Sequence, residues 1–191
     1  SATITLAGVN INVSGTDYAT AFEIADDSTG NVTITLADGT TNTLKSGYQR
    51  AGLQKNGTNG SLEIKGTGML DVFGGELGAG IGSGNEKVTA NITISGGIIN
   101  ATGKRNGAGI GSASASDITI SGGIVTATGG NNGAGIGGGE NGSCTGIKIT
   151  GGSVKAVAGT DANAVGGGKN KSAVTPTDGT NNVYLLELTS A

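Results

Sequence analysis

Side chains that could do chemistry are sparse in this chain, and their types exclude most reactions. There is no histidine, so no Ser–His or Cys–His pair can generate a nucleophile, and the single cysteine, Cys144, lacks a base of that kind. A phosphate-cradling loop needs G-x-x-x-x-G-K-[ST], but Gly166-Gly167-Gly168 runs into Lys169-Asn170 and lacks the hydroxyl residue. The 14 acids and 11 bases give a net charge of −3 and are interspersed along the chain. Without a basic stripe to neutralise phosphates, nucleic acid is not an expected partner. No apolar run approaches the roughly 18 residues of a membrane helix, so membrane insertion is not expected either.

What remains is polar. Asp26 and Asp27 share one turn, and Asp38 follows the next strand-like segment. Carboxylates stacked from turn to turn would offer oxygen ligands to calcium, although Asp-Asp-Ser and Ala-Asp-Gly are equally ordinary turn chemistry. No other cofactor is suggested. A second series lies in polar loops, Gly103-Lys104-Arg105-Asn106, Gly129-Gly130-Asn131-Asn132 and Gly159-Thr160-Asp161-Ala162-Asn163. These loops vary while their flanks stay constant, which is where repeat proteins carry binding residues. With the strand positions Asn100, Thr126 and Lys155, the candidate ligand-binding residues are Asn100, Lys104, Arg105, Asn106, Thr126, Asn131, Asn132 and Lys155. Asn and Thr would hydrogen-bond sugar hydroxyls, and Lys104, Arg105 and Lys155 would draw an acidic glycan. Plain solvated turns are the competing reading. The aromatic residues, Tyr18, Tyr48, Tyr184, Phe22 and Phe73, do not recur at a fixed period, which argues against an aromatic stacking platform.

The elements that must position these residues follow from internal repetition. Ile92-Thr93-Ile94-Ser95-Gly96-Gly97 returns as Ile118-Thr119-Ile120-Ser121-Gly122-Gly123 and as Ile147-Lys148-Ile149-Thr150-Gly151-Gly152. Each copy continues into a second block (Ile99-Asn100-Ala101, Val125-Thr126-Ala127, Val154-Lys155-Ala156) and a third (Ala108-Gly109-Ile110, Ala134-Gly135-Ile136, Asn163-Ala164-Val165). An earlier copy starts at Leu62 with a one-residue insertion near Thr67, and two divergent copies start near Ile4 and Val32. Each unit holds three β-branched runs bounded by Gly, Asn, Asp and Ser, and no helical period. One unit cannot bury its own apolar face, whereas stacked units share a continuous core. The expected fold is all-β, a right-handed parallel β-helix of about six coils with three short parallel sheets. Residues 1–191 form one domain, with coils over 1–168 and residues 169–191 as a cap strand. In the cap, Val183-Tyr184-Leu185-Leu186-Glu187-Leu188 pairs with the sixth coil, and Leu185 or Leu186 seals the core.

Period two along each strand assigns the faces. The Ile92, Ile94, Ile99, Ala101 and Ile110 columns point inward, and Thr93, Asn100 and Thr102 lead the outward ones. On the same logic Gly107, Gly109 and Gly111, with Gly78/Gly80/Gly82 and Gly133/Gly135/Gly137, fall outward. Two readings are open: close backbone approach at a narrow corner, or a bare groove that receives a ligand or neighbouring domain.

The segments ITISGGIVTATGGNNGAGIGGG (118–139) and VTITLADGTTNTL (32–44) resemble β-helix repeats of large cell-surface proteins of Gram-positive gut and cellulolytic bacteria. That group includes a clostridial carbohydrate-binding β-helix family, related in structure to pectate lyases, whose members bind calcium. The likeness spans essentially residues 2–168, and it does not place that family's acidic calcium ligands on residues of this chain. It implies an extracellular, cell-surface module, non-catalytic, for adhesion or polysaccharide binding, with a polysaccharide or a host or cell-wall glycan as partner. The opening Ser1-Ala2-Thr3-Ile4 reads as a segment of a longer, multidomain surface chain. Alternatives are a lyase-like enzyme, a purely structural spacer and an ice-binding solenoid. Lyases of this architecture use calcium-bound carboxylates and a basic residue, and the Asn100/Thr126/Lys155 series builds no such cluster. Thr3/Thr5, Thr33/Thr35 and Thr126/Thr128 have ice-binder spacing, but Glu63, Lys65 and Lys148 interrupt the array.

Overall fold

A computed structural model describes residues 1–26 and 28–175 and the backbone of two further strands at 177–178 and 185–190. The chain winds as a parallel β-helix. The first coil contains β1 (Ala2–Leu6), β2 (Asn10–Asn12) and β3 (Phe22–Ile24), and the second β4 (Asn31–Leu36), β5 (Thr41–Lys45) and β6 (Leu53–Lys55). The third contains β7 (Ser61–Gly66), β8 (Met69–Glu76) and β9 (Ile81–Gly82), and the fourth β10 (Val88–Ile94), β11 (Ile98–Lys104) and β12 (Ile110–Ser112). The fifth contains β13 (Ser114–Ile120), β14 (Ile124–Thr128) and β15 (Ile136–Gly138). The sixth contains β16 (Cys144–Thr145), β17 (Lys148–Ile149), β18 (Ser153–Ala158) and β19 (Val165–Gly166), and β20 (Thr177–Asp178) and β21 (Leu185–Ser190) follow.

First, second and third strands of successive coils stack into three sheets, and the ladders are parallel. The register matches the repeat. Ile92 pairs with Ile118, Ile94 with Ile120, and Ile120 with Ile149. In the third sheet Ile81, Ile110, Ile136 and Val165 form one column, at the spacings of 29, 26 and 29 residues legible in the sequence. Ile64 faces Ile94 while Met69 faces Ile98, so the extra residue of the third coil lies between them, beside Thr67.

One apolar core runs the length of the stack. Ile92, Ile94, Ile99, Ile110, Ile118, Ile120 and Ile136 are completely buried, and Val125, Val154 and Val165 continue their columns. Polar groups inside are tied down. Asn42 Oδ1 accepts the Gly8 and Val9 N–H groups at 3.0 and 2.9 Å, and its Nδ2 donates to the Met69 carbonyl at 3.1 Å. One amide thereby links three coils, as a buried polar group requires. Lys55 is also buried, its Nζ donating to the Gly57 and Asn59 carbonyls at 3.1 Å, and desolvation holds its pKa below the usual lysine range.

The glycine columns decide between the two readings in favour of close backbone approach. Gly78, Gly80, Gly82, Gly107, Gly109, Gly111, Gly133, Gly135 and Gly137 are all buried. A Cβ at Gly109 would sit 2.6 Å from the Gly135 carbonyl oxygen and from the Thr128 amide nitrogen. The stripe is therefore filled by neighbouring backbone, and no bare face exists there for a ligand. The physical reason is close stacking: a Cβ at Gly107 would meet the Gly78 carbonyl of the preceding coil, and one at Gly111 the Gly137 carbonyl of the next.

At the C-terminal end β21 pairs with β18 in parallel, Val154 opposite Leu186 and Ala156 opposite Leu188. The proposed seal by Leu185 or Leu186 concerns side chains outside the described residues.

Candidate functional site

Register brings part of the predicted binding set together. Thr43, Asp71, Asn100, Thr126 and Lys155 form one outward column across the second sheet. Adjacent strands in a sheet lie about 4.8 Å apart, which sets the rise of this polar ladder. Asn100 Nδ2 donates to Asp71 Oδ1 at 2.8 Å, so part of its hydrogen-bonding capacity is used inside the protein.

The other predicted residues sit at the corner where the second sheet turns into the third. Lys104 Nζ pairs with Glu76 at 2.9 Å. Arg105 and Asn131 are exposed, and Arg105 has a φ of 50°. Asn106 and Asn132 are stacked: Asn132 Nδ2 donates to Asn106 Oδ1 at 2.9 Å and to Glu140 Oε1 at 3.1 Å, and Asn106 Nδ2 donates to Glu140 Oε2. Glu140 thus clamps two coils at once. The sequence reading missed it, because Glu140 follows the Gly137-Gly138-Gly139 turn and has no acidic counterpart in the neighbouring copies. Its role makes Asn106 and Asn132 structural first. Glu140→Ala should cost about 1–3 kcal/mol by leaving both amides short of an acceptor, read as a shift of the denaturant midpoint.

Of the calcium candidates, Asp26 and Asp38 lie at different turns. Asp26 lies between β3 and β4 and Asp38 between β4 and β5, so a whole strand separates them. Asp26 Oδ1 accepts from Asn56 Nδ2 at 2.8 Å, and Asp38 Oδ1 accepts from Thr67 Oγ1 at 2.8 Å. Asp27 lies outside the described residues. Among the described residues no three carboxylate, thiol or imidazole groups gather to hold a metal ion.

The clearest concavity was not anticipated. A cleft of about 490 Å³ opens at the corner between the second and third sheets, and four consecutive coils contribute to it. Ser14 and Asp17 come from the first coil, Lys45 to Tyr48 from the second, Phe73 to Glu76 from the third, and Thr102 and Lys104 from the fourth. Its backbone is well braced: Gly47 N donates to Ala19 O at 2.8 Å, Ser46 N to Phe73 O at 3.1 Å and Gly75 N to Arg50 O at 2.9 Å. The register shifts between Thr102 and Lys104, a bulge that puts Glu76 opposite Lys104, and bulges commonly re-aim side chains in this way.

Aromatic rings gather here despite their irregular spacing. Tyr48 and Phe73 line the cleft, and Tyr18 meets Tyr48 edge-on with ring centroids 5.7 Å apart. Arg50 Nε holds the Tyr18 carbonyl at 3.1 Å, and Lys45 Nζ lies 4.8 Å from the Phe73 ring centroid. Their proximity follows from no period in the sequence. They come from loops and strand ends of different coils, and only the winding brings them side by side.

A family model described as a beta helix repeat matches residues 92–114 and 118–140. Those segments are the fourth and fifth coils with their turns. The fold and the match agree on a β-helix repeat domain. No curated protein matches the chain, and no solved structure does.

Within the β-helix repeat domain, Cys144 is a core residue. Burial, reinforced by the Asp117 carboxylate, pushes its thiol up to about 12. Its thiolate fraction at pH 8 is therefore about a thousandfold below that of an exposed cysteine. Alkylation by iodoacetamide should be blocked in the folded protein and should appear with unfolding. Because the unfolded thiol ionises first as pH rises, the stability tied to this group is complete below pH 9 and lost toward about pH 12. Cys144→Ala should remove that part of the alkaline slope.

Proposed function

We propose that this β-helix repeat domain is a non-catalytic module for adhesion or polysaccharide binding, displayed extracellularly on a bacterial surface protein. The observation that carries the reading is the corner cleft, where Tyr48 and Phe73 meet Lys45, Glu76, Lys104 and Asp17. Saccharide sites combine a flat apolar ring with convergent polar groups in this way. The outward column Asp71–Asn100–Thr126–Lys155 lies on the second sheet beside it and extends the polar surface along the solenoid. Histidine is absent from the chain, and the reading requires neither a nucleophile nor a cofactor.

A glycan array run together with a lyase assay on acidic polysaccharides tests the proposal. Saturable binding without turnover is the expected result. Turnover at enzyme-like rates would replace it with the lyase-like alternative, and silence in both assays would leave a rigid spacer.

A further inference from the structure

The charges around the corner cleft select among ligands. Four charged side chains line it, Asp17, Lys45, Glu76 and Lys104, two of each sign. Both cations already have an internal partner: Lys104 Nζ lies 2.9 Å from Glu76, and Lys45 Nζ lies over the Phe73 ring. The lining carries no net positive charge, so the cleft does not steer an anion toward itself. A uronate or sulfate entering it would meet the Asp17 and Glu76 carboxylates and would have to draw Lys104 away from its pair. Like-charge encounters of that kind discriminate against a ligand even when the rest of it fits.

A neutral sugar meets no such obstacle. Its hydroxyls donate to the Asp17 and Glu76 carboxylates, charge-assisted hydrogen bonds that leave the Lys104–Glu76 pair and the Lys45–Phe73 contact in place. The C–H face of its ring lies against Tyr48 or Phe73. A cleft of about 490 Å³ is within the usual range for small-ligand sites. We infer that the cleft at the second corner of coils one to four binds a neutral saccharide, with Tyr48 and Phe73 as stacking residues and Asp17 and Glu76 as hydroxyl acceptors. This rests on the glycan-binding reading above and adds to it a place and a chemical class.

Calorimetric titration of the folded chain with neutral gluco- and galacto-oligosaccharides, and with oligogalacturonides of equal length, tests the inference at low and high salt. Neutral sugars should bind with little salt dependence, and Tyr48→Ala should weaken binding at least about tenfold at a temperature well below the variant's own thermal melt. Phe73→Leu, which keeps apolar volume on the strand, should weaken it similarly. Binding of the uronates alone, falling steeply with salt, would overturn the neutral class and leave glycan binding standing. Neutral binding indifferent to Tyr48→Ala and Phe73→Leu would overturn the site. Absence of binding to any glycan would overturn this inference together with the reading beneath it.

Discussion

Gly109→Ala should destabilise the solenoid by about 3 kcal/mol or more, the upper range for overpacking a closed interior. The added methyl would meet the Gly135 carbonyl oxygen and the Thr128 amide nitrogen, both at 2.6 Å. Both atoms are backbone, so no rotamer change can relieve the clash and the coils must separate. Gly109 is buried, and its neighbours above and below in the column, Gly80 and Gly135, are equally hemmed in by backbone. Gly15 is the control. A Cβ there meets nothing within 4 Å, and its φ lies outside the left-handed range, so Gly15→Ala should stay within about 0.5 kcal/mol. Equilibrium denaturation of the two variants decides the matter. Equal stability would mean that the coils are not in backbone contact at this corner.

Ile120→Ala should cost about 2–5 kcal/mol, the usual penalty for truncating a buried aliphatic side chain. Ile120 is completely buried between Ile94 and Ile149, and the rigid stacking of coils leaves little room for the cavity to collapse. Its neighbour Thr119 pairs with Thr93 and Lys148 on the outer face. Thr119→Ala should change stability by no more than about 0.5 kcal/mol. Comparable losses at both positions in urea melts would overturn the assignment of faces.

The coil count, the three strands per coil and the inward columns were all legible before any coordinates. The cause is the redundancy of a solenoid. Each inward position recurs in several copies, so Ile94/Ile120/Ile149 declare their common environment through repetition alone. The single insertion beside Thr67 was legible for the same reason, as a break in an otherwise constant count.

Features built from unrepeated residues were not legible. Glu140 reaches Asn106 and Asn132 from another loop, and Tyr18, Tyr48 and Phe73 belong to three coils and share no repeat position that a period could reveal. The glycine columns are a separate case, because they do recur. Period two assigns Gly107, Gly109 and Gly111 to the outside of the third strand, and a glycine there fits either a gap or close backbone approach. Which of the two holds depends on how tightly the chain turns at Gly103 and Gly129, whose missing side chains admit the carbonyls of Gly107, Ala108, Gly133 and Ala134. Sequence by itself determined the period, the strand order and the inner face, because those depend on local alternation and repetition. Only the tertiary structure decided which outer surfaces are free and which loops meet, because those depend on single contacts between coils, such as Tyr18 with Tyr48, that no repeat encodes.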